Sequence, residues 1–206
     1  PVTAFMDCDN LETVNILGNL TSIEANAFKN CINLININVP DTVNYIGGGA
    51  FHNCSSLEYI NIPQGIEILK SFTFSDCTNL LEVVLPSNLK QIEGYALDNN
   101  FNIKSITIPL SLKTIGLDAF FLPNLKSVYY EGTFEDWCKI ENEVTNGIVW
   151  ADEFYTKNQN GEYELITDFV VPESITSIPK MRFKAFKQFK TLTLHNNIDK
   201  IEYGAF

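Results

Sequence analysis

One fixed interval dominates this chain. Phe5, Phe28, Phe51 and Phe74 stand 23 apart, and Leu97 and Phe120 keep the step. Counted from that Phe, Cys8, Cys31, Cys54 and Cys77 sit at +3, and Leu11, Leu34, Leu57, Leu80 and Ile103 at +6. Ile37, Ile60, Val83 and Ile106 share +9 with Val14, and Val39, Ile62, Leu85 and Ile108 share +11 with Ile16. Pro40, Pro63, Pro86 and Pro109 mark +12, Val43 and Ile66 mark +15, and Ile46 and Leu69 mark +18. The frame returns late, with Phe183 and Phe206 again 23 apart. A unit this short cannot enclose a core alone, so each copy must be covered by the next.

Equivalent columns then stack in register as a solenoid. The +9/+11 alternation has period two and predicts a strand. Neighbouring strands lie parallel, about 4.8 Å apart. The Ala-Phe-x-x-Cys-x-x-Leu side has period three, which suits a short 3₁₀ or single helical turn. Asp7, Asn30, Asn53, Asp76 and Asn99 recur at +2, and Asn10, Asn33, Asn79 and Asn102 at +5. These side chains bond nearby backbone and tolerate turn geometry, so they predict turn ladders.

The run Val39-Pro40, Val43, Ile46-Gly47, Ala50-Phe51, Cys54 and Leu57 resembles the BspA-type leucine-rich repeat. The resemblance implies an α/β, β-rich leucine-rich-repeat solenoid: a right-handed, curved coil. One parallel sheet would lie on its concave face and short 3₁₀ or helical turns on its convex side. It also implies exported or surface proteins of mouth and gut bacteria and some parasitic protists, linked to adhesion and protein binding. No catalytic residues come with it. The Cys column lapses at Asn100 and Leu122, and Ala96-Leu97 replaces Ala-Phe.

The expected organisation is a single solenoid over residues 1–206, of about eight coils, with both ends cut from a longer protein. No signal peptide is present, which for a cut chain says nothing of compartment. An insertion is expected at about 131–168, because the strand columns Val128 and Phe169 are 41 apart instead of 23. There Thr133 reads as an N-cap before a helix from Phe134 to about Glu141. Asn160-Gly161 reads as a hairpin turn. The Gly132, Thr133 and Trp137 pattern also resembles an insertion common in the family. Trp137 and Trp150 are expected to dock the segment on a neighbouring coil. Ten of the 25 acids fall in it, against two of the 14 bases. Its acids could pair with Lys180, Arg182, Lys184, Lys187 and Lys190. No Asp-x-Asp-x-Asp-Gly spacing supports calcium.

Net charge is −11, and phosphate binding needs clustered cations, so nucleic acid is not an expected partner. No run of about 18 apolar residues exists to cross a membrane. Five cysteines leave at least one unpaired. The column points inward, which favours buried free thiols used as small apolar fillers. His52 should point away from Cys54, and His195 should lie at a strand end. Gly-x-Ser-x-Gly, the phosphate-binding loop and His-Glu-x-x-His are absent. The sequons at Asn19 and Asn53 are weak signals. No catalytic residue, cofactor or metal is expected.

A partner would meet the +8 and +10 positions, which alternate with the buried strand columns. The candidate ligand-binding residues on this concave face are Asn15, Asn36, Asn38, Tyr59, Asn61, Thr107 and Tyr129. The expected function is a monomeric, non-enzymatic module binding a protein or glycan, within a surface or secreted protein. The alternative is a passive spacer.

Overall fold

The computed structural model of the protein describes residues 1–142, 151–178, 183 and 186–206. Its parallel strands stack as the coils of a β-solenoid. The odd-numbered strands carry the +8 to +10 columns. Strands β1 (Thr13–Asn15), β3 (Asn36–Asn38), β5 (Tyr59–Asn61) and β7 (Glu82–Val84) form one ladder. Val14 faces Ile37, Ile37 faces Ile60, and Ile60 faces Val83. Each partner lies one repeat further along the chain, so the sequence period and the strand register are the same quantity. A second ladder continues with β9 (Ser105–Ile108), β11 (Ser127–Tyr130) and β13 (Glu153–Lys157). Strands β15 (Asp168–Val170) and β17 (Thr191–Thr193) pair last, Phe169 facing Leu192.

One parallel sheet was expected from the sequence; the coil has two strand faces. Apart from one hairpin strand described below, the even-numbered strands are two residues long: β2 (Ser22–Ile23), β4 (Tyr45–Ile46), β6 (Ile68–Leu69), β8 (Gln91–Ile92), β10 (Thr114–Ile115) and β12 (Glu141–Asn142). Two more, β16 (Ser177–Ile178) and β18 (Lys200–Ile201), complete the set. All pair in parallel, as Ile23 with Ile46 and Leu69 with Ile92. Two residues show no period, so only the buried +18 column betrayed this face.

The third side is made of turns whose backbone bonds alternate. Cys31 N–H donates back to Phe28 O at 3.2 Å and Leu34 N–H to Cys31 O at 3.0 Å, within one coil. The residues between reach the next coil: Phe28 N–H to Ala50 O at 2.8 Å and Asn30 N–H to His52 O at 2.9 Å. These bonds occupy donors that the turns would otherwise bury unpaired. A continuous 3₁₀ helix does not form, because two columns are left-handed. One is the Asp/Asn column, with φ near +60° from Asp7 to Asn99. The other lies two residues before the Phe: Thr3, Asn26, Gly49, Phe72, Tyr95 and Asp118.

The core is one continuous cluster in which the columns align. Rings of Phe5, Phe28, Phe51 and Phe74 stack at 5.2 to 5.4 Å with planes within 9°. Beside them, Cys54 Sγ donates to Phe28 O and Cys77 Sγ to Phe51 O, each at 3.1 Å.

Within residues 131–168 the strand frame continues. Strand β13 pairs in parallel with β11, Val128 facing Phe154, so the 41-residue gap contains a strand of the stack. Ser127 faces Glu153, so the coil between these strands is longer than the repeat, and it includes helix α1 (Phe134–Cys138). Thr133 and Asp136 form a reciprocal capping box, and the helix ends three residues before Glu141. Trp137 is buried against Tyr130 and Phe154, at 5.3 and 4.7 Å. Trp150 lies outside the described residues. What departs from the stack is β14 (Tyr163–Leu165), which folds back antiparallel on β13. Its turn places Gly161 at φ +80°, the conformation that Asn-Gly supplies cheaply. Of the expected ion pairs to the basic coil, Lys187–Asp152 forms at 3.3 Å on the surface. Lys180, Arg182 and Lys184 lie outside the described residues.

Candidate functional site

Period-two alternation turns the +9 side chains into the core and the +8 and +10 side chains out. Thr13, Asn36, Tyr59 and Glu82 form one cross-strand row. Asn15 faces Asn38 and Asn61 faces Val84 in the neighbouring row. All of these are exposed, Tyr59 at 54%. The first ladder therefore carries Asn15, Asn36, Asn38, Tyr59 and Asn61 on one face. Thr107 and Tyr129 are direct partners on the second ladder. Tyr59 lies on β5 and Tyr129 on β11, in separate ladders.

Between those two groups the strand ladder is interrupted. Strands β7 and β9 belong to different ladders, and a groove of about 450 Å³ opens there. Glu82 and Val84 line it from one ladder, Ser105 and Thr107 from the other, and Gln64 and Glu131 also line it. Gln64 is held in place, its Oε1 accepting from Ser87 N–H and Oγ at 3.0 Å each. Below the groove the coils remain joined on the turn side, through Phe74 N–H to Ala96 O at 2.9 Å. Asn100 replaces the column Cys there. Its buried amide donates to Phe74 O and Leu97 O at 2.9 and 2.8 Å.

Sequence reasoning missed the tyrosine cluster beyond the groove. Tyr129 is half-buried because Tyr155 of β13 stacks on it at 4.8 Å, and Tyr163 of β14 meets it edge-on at 5.2 Å. Tyr155 Oη donates to Glu153 Oε2 at 3.0 Å, and Ser127 Oγ donates to the same oxygen at 2.9 Å. Burial, then the bond to Glu153, raises the Tyr155 phenol above its usual range. Burial, then the Glu131 charge, does the same for Tyr163. Lys157 lies 5.5 Å over the Tyr163 ring and 3.6 Å from Glu131. Counting the frame through β13 instead of across it would have put Tyr155 on the same face.

The remaining reactive side chains are arranged as structure. Cys8, Cys31, Cys54, Cys77 and Cys138 are all free thiols. Burial pushes the Cys31 thiol up to about 11 and Cys54 up to about 12. Cys54 donates to a main-chain carbonyl while His52 Nδ1 lies 3.5 Å from Asp76 Oδ2, so the two do not form a nucleophile–base pair. His195 accepts from Asn197 N–H at Nδ1, which leaves Nε2–H to donate to Pro172 O at 3.0 Å. Asn53 Nδ2 donates to Asn30 Oδ1 at 3.1 Å, so the sequon nitrogen is already committed to the turn ladder. Among the described residues no three His, Cys, Asp or Glu side chains converge as metal ligands. Among them, too, no helix is long and apolar enough to cross a membrane.

Comparison with known proteins places this architecture. The family model described as BspA type leucine-rich repeat region matches six copies, over residues 1–126 and 160–206. A leucine-rich cell surface protein of Faecalibacterium prausnitzii A2-165 is 27% identical, with a TM-score of 0.62 over 100% of this chain and 54% of its own. A leucine-rich repeat protein of T. pallidum is 25% identical, with a TM-score of 0.50 over 62% of this chain and 64% of its own. One from Bacteroides ovatus, 23% identical, shares the fold at a TM-score of 0.50 over 93% and 59%. The chain thus spans about half the length of the first and under two thirds of the others. A comparison with curated proteins found no match. This chain belongs to the BspA-type leucine-rich repeat family.

Proposed function

We propose that the chain is a non-enzymatic binding module of a surface or secreted protein, of the adhesion type, and that the odd-numbered strands carry its ligand face. The supporting observation is the exposed strip itself: outward side chains of successive coils held in register, row beside row, on a continuous core. The backbone beneath each side chain is fixed by a strand whose partners fix it in turn. A ligand meeting several of them therefore costs little ordering of the protein. Many modest contacts along the strip then sum to useful affinity. The similar F. prausnitzii protein is described as a cell surface protein, which agrees with this reading.

Surface plasmon resonance with the chain immobilised tests it, using purified extracellular-matrix proteins and soluble oligosaccharides as analytes. The doubly substituted Tyr59→Ala, Tyr129→Ala chain should keep its circular dichroism and lose capture. Capture unchanged by that substitution, or absent from the wild-type chain, would leave a passive spacer as the better description.

A further inference from the structure

Resting on the odd-strand face as the ligand face, we propose that the groove between β7 and β9, with the rows beside it, takes a neutral polysaccharide laid across the strands. Its polar groups are of the right kind. The amides of Asn15, Asn36, Asn38 and Asn61 are exposed, and Glu82 at the groove wall has no ion pair among the described residues. Carboxamides and carboxylates present two polar atoms in one plane, which suits adjacent hydroxyls of a sugar ring. Aromatic surface flanks the groove on both sides. Tyr59 is the direct neighbour of Glu82 on one wall, and Tyr129 that of Thr107 on the other. The exposed Tyr59 ring offers a flat apolar surface to the C–H face of a pyranose.

The same rows disfavour other ligand classes. From Thr13 to Thr107 the outward positions hold no Lys or Arg, so a polyanion finds no neutralising charge. Nor do they hold Trp, Arg or Met, and Val84 is their one aliphatic residue, so Tyr59 is the one residue in them of the kind that anchors protein interfaces. The groove volume of about 450 Å³ falls within the ~300–1,000 Å³ of ordinary small-ligand sites. Within each ladder strands recur every ~4.8 Å, close to the length of one sugar unit, so on either side of the groove successive units would meet equivalent positions of successive coils.

Isothermal titration of the whole chain with soluble neutral glucan, xylan, mannan and galactan oligosaccharides tests the proposal. At least one should bind, with affinity unchanged between low and high salt. Tyr59→Ala and Asn61→Ala should each weaken it, the first by about tenfold or more. Glu82→Gln, which keeps the planar polar pair and removes the charge, should change it by less than about threefold, and Tyr45→Ala on the even-strand face should not change it. Binding of heparin alone, no oligosaccharide bound, or a tenfold loss with Glu82→Gln would overturn the proposal. A purified matrix protein captured without any sugar binding, and lost in Tyr59→Ala, would overturn it while leaving the adhesion reading intact. Capture of neither would end both.

Discussion

Phe51 and Phe74, equivalent positions of successive repeats, stack with ring centroids 5.4 Å apart and planes 9° from parallel. Phe51 has the same relation to Phe28, so one ring is packed on both faces by its own equivalents. Phe51→Ala opens a void bounded by both neighbours. It should destabilise the chain by about 3–5 kcal/mol, against a smaller loss for Phe51→Leu, which keeps most of the volume and is the residue that the column itself uses at Leu97. Urea denaturation of both variants measures the difference. Equal, small losses would mean that the row is not packed as described.

The left-handed corner before each Phe makes opposite predictions for two of its residues. Gly49 has φ +64°, and a Cβ there would collide with the Asn26 side-chain oxygen. Gly49→Ala should cost roughly 1–3 kcal/mol. Phe72 bears the same geometry with a bulky side chain, offset by stacking on Tyr95 at 5.0 Å. Phe72→Asn loses a stack worth about 0.5–1.5 kcal/mol and relieves a strain of about 1–2 kcal/mol, so it should shift stability by less than ~1 kcal/mol. Thermal melts distinguish the two.

Buried thiols predict loss of stability in alkali. Burial raises the Cys31 thiol to about 11 and the Cys54 thiol to about 12, against a usual value of 9, and also raises Cys77 well above that usual value. A raised folded pKa means that the native state holds its proton longer than the unfolded chain does. The contribution is complete below pH 9 and falls as pH rises through the folded values. Denaturation midpoints should decline above about pH 9. The triple Ala variant at these cysteines should be less stable at neutral pH but flatter across that window. Thiol titration in denaturant without reductant should count five groups.

Asp98 reports the turn side. Burial, then the charge of Asp76, raises its carboxyl to about 6. Protonated Asp98 favours the fold, an advantage complete below the usual 3.8 and lost as pH rises through about 6. Asp98→Asn should therefore raise the melting temperature at neutral pH and have little effect near pH 4. A gain of equal size at both values would contradict this account.

The core columns and the outward rows were legible because they need a constant residue type: apolar at Phe51, Leu57 and Ile60, polar at Asn36 and Asn38. The second left-handed corner was not. It accepts Thr3, Asn26, Gly49, Phe72 and Tyr95 alike, because stacking between coils sets the backbone there and the residue type does not. The even-numbered face was hidden by strands of two residues. The tyrosine cluster was hidden by the helix and hairpin around β13, which lengthened that coil and took Tyr155 and Tyr163 out of frame.

The most direct test of the ligand face compares charge placed on the two strand faces of one stack. Asn36→Lys with Asn61→Lys alters the odd strands; Tyr45→Lys with Ile68→Lys alters the even ones, at positions that are likewise exposed. With folding verified by circular dichroism, binding of the chain to matrix proteins, oligosaccharides and intact cells should fall at least about tenfold for the first pair and stay within about twofold for the second. Equal binding by both variants, or a loss confined to the even-strand pair, would contradict the account.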